Sequence, residues 1–214
     1  MDAVILAGGQ GNRMGTDVPK PLVVVKGRTL IDYQIRYLRD KVDTIILALG
    51  YRADQVIDYV RKHYSSERIV FSVENEPLGT AGGLRKALQH VTTKYILVIN
   101  CDDVTDIDVK SLEALNDDVI CVAHPQLPFG RVIEKNGYAV FEEKPILNDW
   151  VSCGWYVLNT AELLKILPNK GSLEYDVFPK LKLRVYKHEG FWKTVNTKKD
   201  IIEFEKSELP DKLS

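Results

Sequence analysis

Residues 2–15 read DAVILAGGQGNRMG, an apolar run that passes directly into a loop rich in glycine. The apolar segment 3–6 has the length and composition of a β-strand that is buried on both faces. The glycines that follow lack a Cβ, so their backbone N–H groups can turn sharply and approach a polyphosphate. Ligands bind beyond the carboxyl ends of the strands in open α/β sheets. This stretch therefore predicts a phosphate-binding loop after a first parallel strand.

Strand and helix patterns alternate along the first half of the chain. Further buried strands are expected at 44–49, 69–73 and 95–99. Apolar residues at helical spacing predict helices at 30–39, 53–63 and 80–91. Strands that are apolar throughout and separated by helices are typical of a parallel sheet that helices cover on both faces.

The second half of the chain has a different pattern. Short strand-like segments joined by tight turns are expected at 119–123, 131–134, 138–141 and 151–158. Short helices are expected at 161–167, 173–181 and 198–207. We therefore predict one domain over residues 1–214 of the α/β class. It is a three-layer, Rossmann-like mixed sheet, mostly parallel, with an antiparallel extension in its C-terminal half.

The composition excludes several classes of protein. Hydrophobic residues make up 45% of the 214 residues, and 29 Lys and Arg against 30 Asp and Glu leave a net charge of -1. Disorder needs low hydrophobicity with high net charge, and polybasic nucleic-acid binding needs an excess of cations, so neither class fits. The apolar runs fall short of the roughly 18 residues that span a bilayer, and no signal peptide is visible, so we expect a cytoplasmic protein without a membrane partner. Three cysteines without a C-x-x-C pair favour reduced thiols.

The glycine loop by itself allows more than one ligand. A dinucleotide loop would need an acidic residue after the second strand to hold the ribose, and Gly50, Tyr51 and Arg52 stand there instead. A P-loop would need a G-K-[ST] sequence, which this loop lacks. A glycine-rich turn that binds nothing stays an open alternative for these residues alone.

Further motifs follow the loop in an order that resembles a known family. They are Pro19-Lys20-Pro21-Leu22, the stretch 74–84 reading ENEPLGTAGGL, Asn100-Cys101-Asp102-Asp103, and Glu143-Lys144-Pro145. With residues 6–15 they resemble the signature of the sugar-1-phosphate nucleotidylyltransferases, also called nucleoside-diphosphate-sugar pyrophosphorylases. The resemblance runs over residues 2–203 and is greatest to the mannose and heptose 1-phosphate guanylyltransferases. It implies the nucleotide-diphospho-sugar transferase fold, and a reaction of an NTP with a sugar 1-phosphate that yields an NDP-sugar and pyrophosphate.

The resemblance assigns the first half of the chain, about 1–118, to the nucleotide. Nucleotide contacts are implied for Leu6, Ala7, Gly8, Gly9, Gly11, Glu74, Pro77, Gly79 and Thr80. Arg13 and Lys20 are implied to meet the phosphates as catalytic cations. Asp102 is implied to act in catalysis by binding Mg²⁺, and a carboxylate at the end of a strand suits a hard ion that bridges phosphates.

The same resemblance assigns the second half, about 119–205, to the sugar. Sugar contacts are implied for Gly130, Glu143, Ser152 and Gly154, and Lys144 is implied to orient the attacking phosphate as a further catalytic residue. The main departure from the family pattern is Thr194, which stands where most members carry an aspartate that is the second metal ligand. Asn196 offers a neutral oxygen two residues further on, and we expect it to be a weaker second ligand for Mg²⁺.

The residue at position 74 bears on the choice of base. The resemblance places Glu74 where thymidylyl- and uridylyltransferases carry a glutamine that reads the base edge. A carboxylate only accepts hydrogen bonds, and guanine presents two adjacent donors, N1–H and the 2-amino group. Uracil and thymine present one donor flanked by acceptors, which a carboxylate repels. Glu74 therefore favours GTP, with a solvent-facing side chain as the alternative.

We therefore expect a Mg²⁺-dependent guanylyltransferase that forms a product of the GDP-mannose or GDP-heptose type. Cytidylyl or uridylyl transfer to another sugar phosphate, or to an amino-alcohol phosphate such as phosphocholine, is the alternative enzyme. A regulatory subunit that binds a nucleotide sugar without turnover is the alternative from another class, and Thr194 favours it. A nicotinamide-dependent oxidoreductase fits least. The expected partners are an NTP and a sugar 1-phosphate, and a homo-oligomer stays open.

Overall fold

The computed structural model describes residues 1–11, 15 and 17–213. Seven strands form the main sheet: β1 (Asp2–Ala7), β4 (Ile45–Leu49), β5 (Ile69–Val73), β6 (Tyr95–Asn100), β8 (Val119–Ala123), β11 (Val151–Asn159) and β12 (Arg184–Lys187). Their order across the sheet is β12-β8-β11-β6-β1-β4-β5.

The remaining strands of the described part form three ribbons of two strands each. They are β2 (Val24–Val25) with β3 (Arg28–Thr29), β7 (Asp103–Thr105) with β13 (Trp192–Thr194), and β9 (Arg131–Lys135) with β10 (Tyr138–Glu142). The α-helices are α1 (Leu30–Leu38), α2 (Ala53–His63), α3 (Gly79–Ala87), α4 (Val109–Ala114), α5 (Thr160–Ile166) and α6 (Lys198–Lys206). Among the residues described, no helix is long and apolar enough to cross a bilayer.

The strand directions confirm the predicted mixed and mostly parallel α/β sheet. Strand β1 lies between β4 and β6 and runs parallel to both, and β5 continues the parallel order beyond β4. Strand β11 runs antiparallel to both of its neighbours, β6 and β8, while β12 is parallel to β8. The antiparallel strand of the C-terminal half therefore lies inside the sheet and connects its two parallel parts.

Several elements differ from the sequence expectation. The expected helix at 173–181 is a π-helical turn, Leu173–Val177, followed by a 3-10 turn, Phe178–Lys180, because Pro179 has no N–H to continue a regular helix. The helix expected at 80–91 ends at Ala87 and finishes in a 3-10 turn, Leu88–His90. Strand β12 was not predicted, since it is a short edge strand with exposed residues and no buried apolar run.

Each central strand contributes side chains to two apolar clusters, one on each face of the sheet. Ala3 and Ile5 of β1 pack in the cluster that contains the apolar residues of α1 and α2, whereas Val4 packs with those of α3 and α5. Successive residues of a strand point to opposite faces, so a strand that helices cover on both sides must be apolar throughout. All three cysteines lie in the first of these clusters.

The start of α1 is fixed by Asp32, which joins this helix to α2 and the turn that follows it. Asp32 and Thr29 form a reciprocal capping box, and the hydroxyls of Tyr59 and Tyr64 each donate to the Asp32 carboxylate at 2.7 Å. Burial by itself would raise the pKa of Asp32, but hydrogen bonds from Tyr64, Thr29 and Tyr59 outweigh burial and lower this pKa. The ionised carboxylate is therefore the form that the fold stabilises.

We predict that Asp32→Ala lowers the free energy of unfolding by about 2 to 4 kcal/mol, because a helix cap and two hydroxyl donors lose their acceptor. The folded pKa of Asp32 is lowered, so its contribution is present above the unfolded pKa of about 4 and is lost as the pH falls through the folded pKa. Urea denaturation at pH 7 and at low pH measures both effects. Asp40→Ala is the control, since Asp40 is 84% exposed. Equal stabilities of the two variants at pH 7 would contradict this role.

Candidate active site

A cleft of about 780 Å³ lies at the carboxyl ends of β1, β4, β5 and β6. Parallel pairing places Leu6 of β1 beside Ala48 of β4 and Asn100 of β6, so the segments that follow these strands meet at one edge of the sheet. The lining includes the expected nucleotide-binding residues Leu6, Ala7, Gly8, Gly9, Glu74, Pro77, Gly79 and Thr80. Lys20, Asp102 and Asn196 line the same cleft. The structure thus brings together residues that are distant in the sequence.

The glycine loop lies against the end of β4 and against Lys20. The carbonyl oxygen of Gly8 accepts a hydrogen bond of 3.1 Å from the backbone N–H of Tyr51. Gly11 has a φ of +66°, and a Cβ at this position would lie 3.1 Å from the Cβ of Lys20. A glycine therefore suits position 11 for both its backbone conformation and its close approach. Arg13, which was expected to hold the phosphates, lies outside the described residues.

Lys20 contacts both of the side chains that were expected to bind a metal. Its Nζ donates to Oδ2 of Asp102 at 2.5 Å and to Oδ1 of Asn196 at 2.8 Å. The side chains of Lys20 and Asp102 are 17% and 19% exposed, so salt screens this ion pair less than a surface pair. A 3-10 turn at Lys20–Leu22, with Pro21 in its first turn, fixes the main chain that carries Lys20.

The donor set around Lys20 fits a Mg²⁺ ion that binds together with a nucleotide. One carboxylate oxygen and one amide oxygen converge on a point where a cation, the Lys20 ammonium group, already lies. Mg²⁺ is usually held by one or two carboxylates together with substrate phosphates and waters. In the part of the chain that the structure describes, no group of three or more His, Cys, Asp or Glu side chains could hold a metal. These residues therefore suit a metal whose remaining ligands come from phosphates.

Asn196 reaches the cleft because β13 pairs with β7 next to Asp102. The register places Thr194 opposite Asp103, and the backbone N–H of Val195 donates to the carbonyl oxygen of Asp102 at 3.0 Å. The backbone N–H of Asn196 donates to Asp200 at 2.9 Å, immediately before α6 begins. The side chain of Asn196 donates from Nδ2 to Oγ1 of Thr194 at 2.8 Å.

Asp103 is a buried carboxylate beside the cleft that the sequence analysis did not single out. It accepts hydrogen bonds from Nε1 of Trp192 at 3.0 Å and from Nδ2 of Asn100 at 3.2 Å. Burial, together with the negative charge of Asp102, raises the pKa of Asp103 to about 7. The signal for it was present in the sequence, where two adjacent aspartates follow a buried strand after one cysteine.

Gly154, which was expected to contact the sugar, packs against these polar groups. It has a φ of +76°, and a Cβ there would lie 2.0 Å from Oδ2 of Asp103 and 2.7 Å from Nδ2 of Asn100. The close packing of β11 against the end of β6 therefore requires glycine at this position.

Glu74 lies at another part of the cleft wall, with its carboxylate half-buried rather than directed into open solvent. One carboxylate oxygen accepts from the backbone N–H of Leu78 at 3.3 Å. The other lies so close to Gly8 and Gly50 that a Cβ on Gly50 would come within 2.6 Å of it. Burial raises the pKa of Glu74, because desolvation disfavours the charged form. Gly50 is thus a site residue that the sequence analysis missed.

Close backbone packing shapes the segment that follows Glu74. A Cβ on Gly79, whose φ is +74°, would lie 2.2 Å from the carbonyl oxygen of Gly171. The hydroxyl of Thr80 accepts from the backbone N–H of Leu173 at 2.9 Å and contacts Glu174 at 3.4 Å. Thr80 therefore connects α3 to the π-helical turn. Further cleft residues that the sequence analysis did not select include Tyr51, Ser72, Asn75, Lys86 and Glu174.

The residues expected to contact the sugar lie outside the lining of this cleft. Nζ of Lys144 donates to Oε1 of Glu203 in α6 at 2.9 Å, and this hydrogen bond raises the pKa of Lys144. Glu143 lies next to Gly130, where a Cβ would come 3.2 Å from Oε2 of Glu143. The hydroxyl of Ser152 lies 2.9 Å from that of Tyr156. These contacts of Lys144, Glu143 and Ser152 are to residues outside the cleft lining, whereas Gly154 packs against Asn100, which lines the cleft.

Comparisons of this chain with known proteins all point to nucleotidyltransferases. The profile of the family described as MobA-like NTP transferase domain matches residues 3–140. The mannose-1-phosphate guanyltransferase of Aspergillus fumigatus is 33% identical, over 94% of this chain and 62% of the fungal protein. This chain thus spans about three fifths of the length of that relative.

A second relative and a solved structure match this chain over nearly their full lengths. The D-glycero-alpha-D-manno-heptose 1-phosphate guanylyltransferase of Campylobacter jejuni is 29% identical, over 95% of this chain and 98% of its own. The crystal structure of HddC from Yersinia pseudotuberculosis complexed with GMP-PN has a TM-score of 0.78 and 27% identity, and covers 95% of this chain and 97% of that chain.

Proposed function

Because the chain belongs to the MobA-like NTP transferase domain family, we propose that it joins GTP to a manno-configured sugar 1-phosphate and releases pyrophosphate. The convergence of Lys20, Asp102 and Asn196 beside the glycine loop carries this proposal. Guanine and the manno configuration are inferred from the names of the relatives, which are mannose and manno-heptose 1-phosphate guanylyltransferases, and from HddC, which was solved with GMP-PN.

The proposed reaction brings two anions together, so positioning and charge neutralisation carry most of the catalysis. An oxygen of the sugar phosphate attacks the α-phosphorus of GTP in line. The bond from this phosphorus to the bridging oxygen breaks, and pyrophosphate leaves. The backbone N–H groups of Gly8 and Gly9 are close to the strand end where phosphates bind, and Arg13 is proposed to hold the leaving pyrophosphate.

In this proposal, Lys20 first contacts Asp102 and Asn196 and later contacts the phosphates of the nucleotide. Asp102 and Asn196 would hold Mg²⁺, which neutralises phosphate charge when it is bound. Because the ammonium group of Lys20 contacts the same two oxygens in the structure, it must move as the metal binds. The long and flexible lysine side chain can then donate to the phosphate oxygens.

Glu74 is proposed to select the base. Its carboxylate is half-buried, and it lines the same cleft as the glycine loop and Lys20. The ionised form accepts the two donors of the guanine edge, N1–H and the 2-amino group. Burial of the charge raises the cost of leaving these acceptors without donors, so a pyrimidine is disfavoured.

We propose a division of the chain in which about 1–118 binds the nucleotide and about 119–205 binds the sugar phosphate. Gly130, Glu143, Ser152 and Gly154 form the sugar side. Lys144 is proposed to exchange its partner Glu203 for the sugar phosphate.

We predict that pyrophosphate release with Mg²⁺ is fastest with GTP and with mannose or manno-heptose 1-phosphate. The assay crosses the four NTPs with hexose, heptose and N-acetylhexosamine 1-phosphates and with phosphocholine. Release with CTP or UTP would establish the alternative enzyme. Nucleotide binding without release from any pair would establish the regulatory subunit, for which Thr194 is the supporting feature.

The same assay tests the role of Lys20, the cation at the centre of the site. Lys20→Ala should lower kcat/KM by about 100-fold or more, a loss typical for removal of a group that stabilises transition-state charge. Lys182→Ala, at an exposed lysine, should leave the rate unchanged. Near-normal turnover of Lys20→Ala would contradict the proposed role of Lys20.

Glu74→Gln should reduce the preference for GTP over UTP by about tenfold or more, which corresponds to about one charge-assisted hydrogen bond. The glutamine amide supplies a donor that uracil can accept and guanine N1–H cannot. The measurement is the ratio of kcat/KM for the two nucleotides, with Glu208→Gln at an exposed position as the control. An unchanged ratio would show that Glu74 does not read the base.

A further inference from the structure

The side-chain amide of Asn196 lies between two partners of different chemistry. Its Oδ1 accepts from Nζ of Lys20, and its Nδ2 donates to Oγ1 of Thr194, each at 2.8 Å. The hydrogen bond from its backbone N–H to Asp200 anchors the main chain at this point. The value of Asn196 as a metal ligand then depends on which end of the amide faces Asp102.

The oxygen and nitrogen ends of an amide have nearly the same shape, so hydrogen-bond partners decide which end points where. An ammonium group only donates, so Lys20 can face only the oxygen end of Asn196. This constraint is lost when Lys20 turns to a phosphate. The hydrogen bond from Nδ2 to Thr194, on the other side of the amide, still opposes its rotation.

The hydroxyl of Thr194 can hold the Asn196 amide in this orientation. Strand β13 places Thr194 directly opposite Asp103 of β7, and hydrogen bonding from Thr194 favours the ionised form of the Asp103 carboxyl, against burial, which raises its pKa. A hydroxyl has one proton to donate and lone pairs that accept. When this proton points to the Asp103 carboxylate, the Thr194 oxygen accepts from Nδ2 of Asn196. The hydroxyl thus selects the amino end of the amide.

We propose that Thr194 is a positioning residue, which holds Oδ1 of Asn196 toward the metal position after Lys20 has moved to the nucleotide. The inference rests on the proposed function, in which Mg²⁺ binds beside the nucleotide. It also explains the departure at position 194. An aspartate there would lie opposite the buried Asp103, where burial and Asp102 already disfavour negative charge, and an ionised carboxylate could not donate a hydrogen bond to Asp103 as the hydroxyl does.

The test compares Thr194→Val, which keeps the shape and removes the hydroxyl, with Thr194→Ser, which keeps the hydroxyl. Mn²⁺ affinity is measured by electron paramagnetic resonance in the presence of a saturating non-hydrolysable GTP analogue. Thr194→Val should weaken Mn²⁺ binding by about tenfold, the lower end of the range for a residue that orients a metal ligand. Thr194→Ser should restore the affinity of the wild type.

A purely structural role for Thr194 would give a different result. In that case Thr194→Val would lower the melting temperature without a selective loss of metal affinity, and this outcome would overturn the proposal. We expect instead that the KM for Mg²⁺ rises in Thr194→Val, while kcat at saturating Mg²⁺ changes little. Equal losses of Mn²⁺ affinity in the valine and serine variants would also overturn it.

Asn196→Asp provides an independent test. A carboxylate has two equivalent oxygens, so either end of the side chain can face the metal. In the Asn196→Asp background, Thr194→Val should no longer weaken Mn²⁺ binding, so the two changes should be non-additive. Additive losses would overturn the positioning role. If the wild type failed to bind the GTP analogue with Mn²⁺, the proposed function would fail as well. A normal wild type with an unaffected Thr194→Val would overturn the positioning role alone.

Discussion

The contact of Lys20 with Asp102 and Asn196 is the interaction on which the site depends. The three residues come from the segment after the glycine loop, from the end of β6 and from the segment before α6. They meet because β1 pairs with β6 and because β13 pairs with β7. An ion pair that is largely shielded from solvent leaves an uncompensated charge if one member is removed. The pairing of the strands therefore brings together the charged groups that balance each other in the site.

The polar groups of the cleft are compatible with the proposed binding of a guanine nucleotide. The glycine loop and Lys20 supply N–H donors and a positive charge, which suit phosphates, whereas Glu74 supplies acceptors, which suit the donor edge of guanine. Lys20 balances the charge of Asp102 in the structure. A nucleotide with its metal can replace this internal ion pair without leaving Asp102 unpaired. The same two oxygens therefore serve a structural contact and a proposed metal site.

The sequence predicted the parts of the fold and of the site that depend on local patterns. The strands β1, β4, β5 and β6 were predictable, since burial on both faces requires an uninterrupted apolar run. The short strands β7, β12 and β13 were not, because they carry no such run. The family resemblance selected Asp102, and its position after a buried strand, which a local pattern shows, supported that choice. The placement of Thr194 opposite Asp103 depends on pairing between segments about 90 residues apart, which no local pattern shows.

A crystal structure of the chain with a non-hydrolysable GTP analogue and Mn²⁺ would show whether a metal takes the place of Lys20 beside Asp102. Anomalous scattering locates the metal. We expect one Mn²⁺ at about 2.0 to 2.2 Å from oxygens of Asp102 and Asn196, with Nζ of Lys20 moved onto a phosphate. The guanine edge should face Glu74. A metal bound elsewhere, or Lys20 still on Asp102 in the loaded protein, would contradict the exchange of a lysine for a metal at this position.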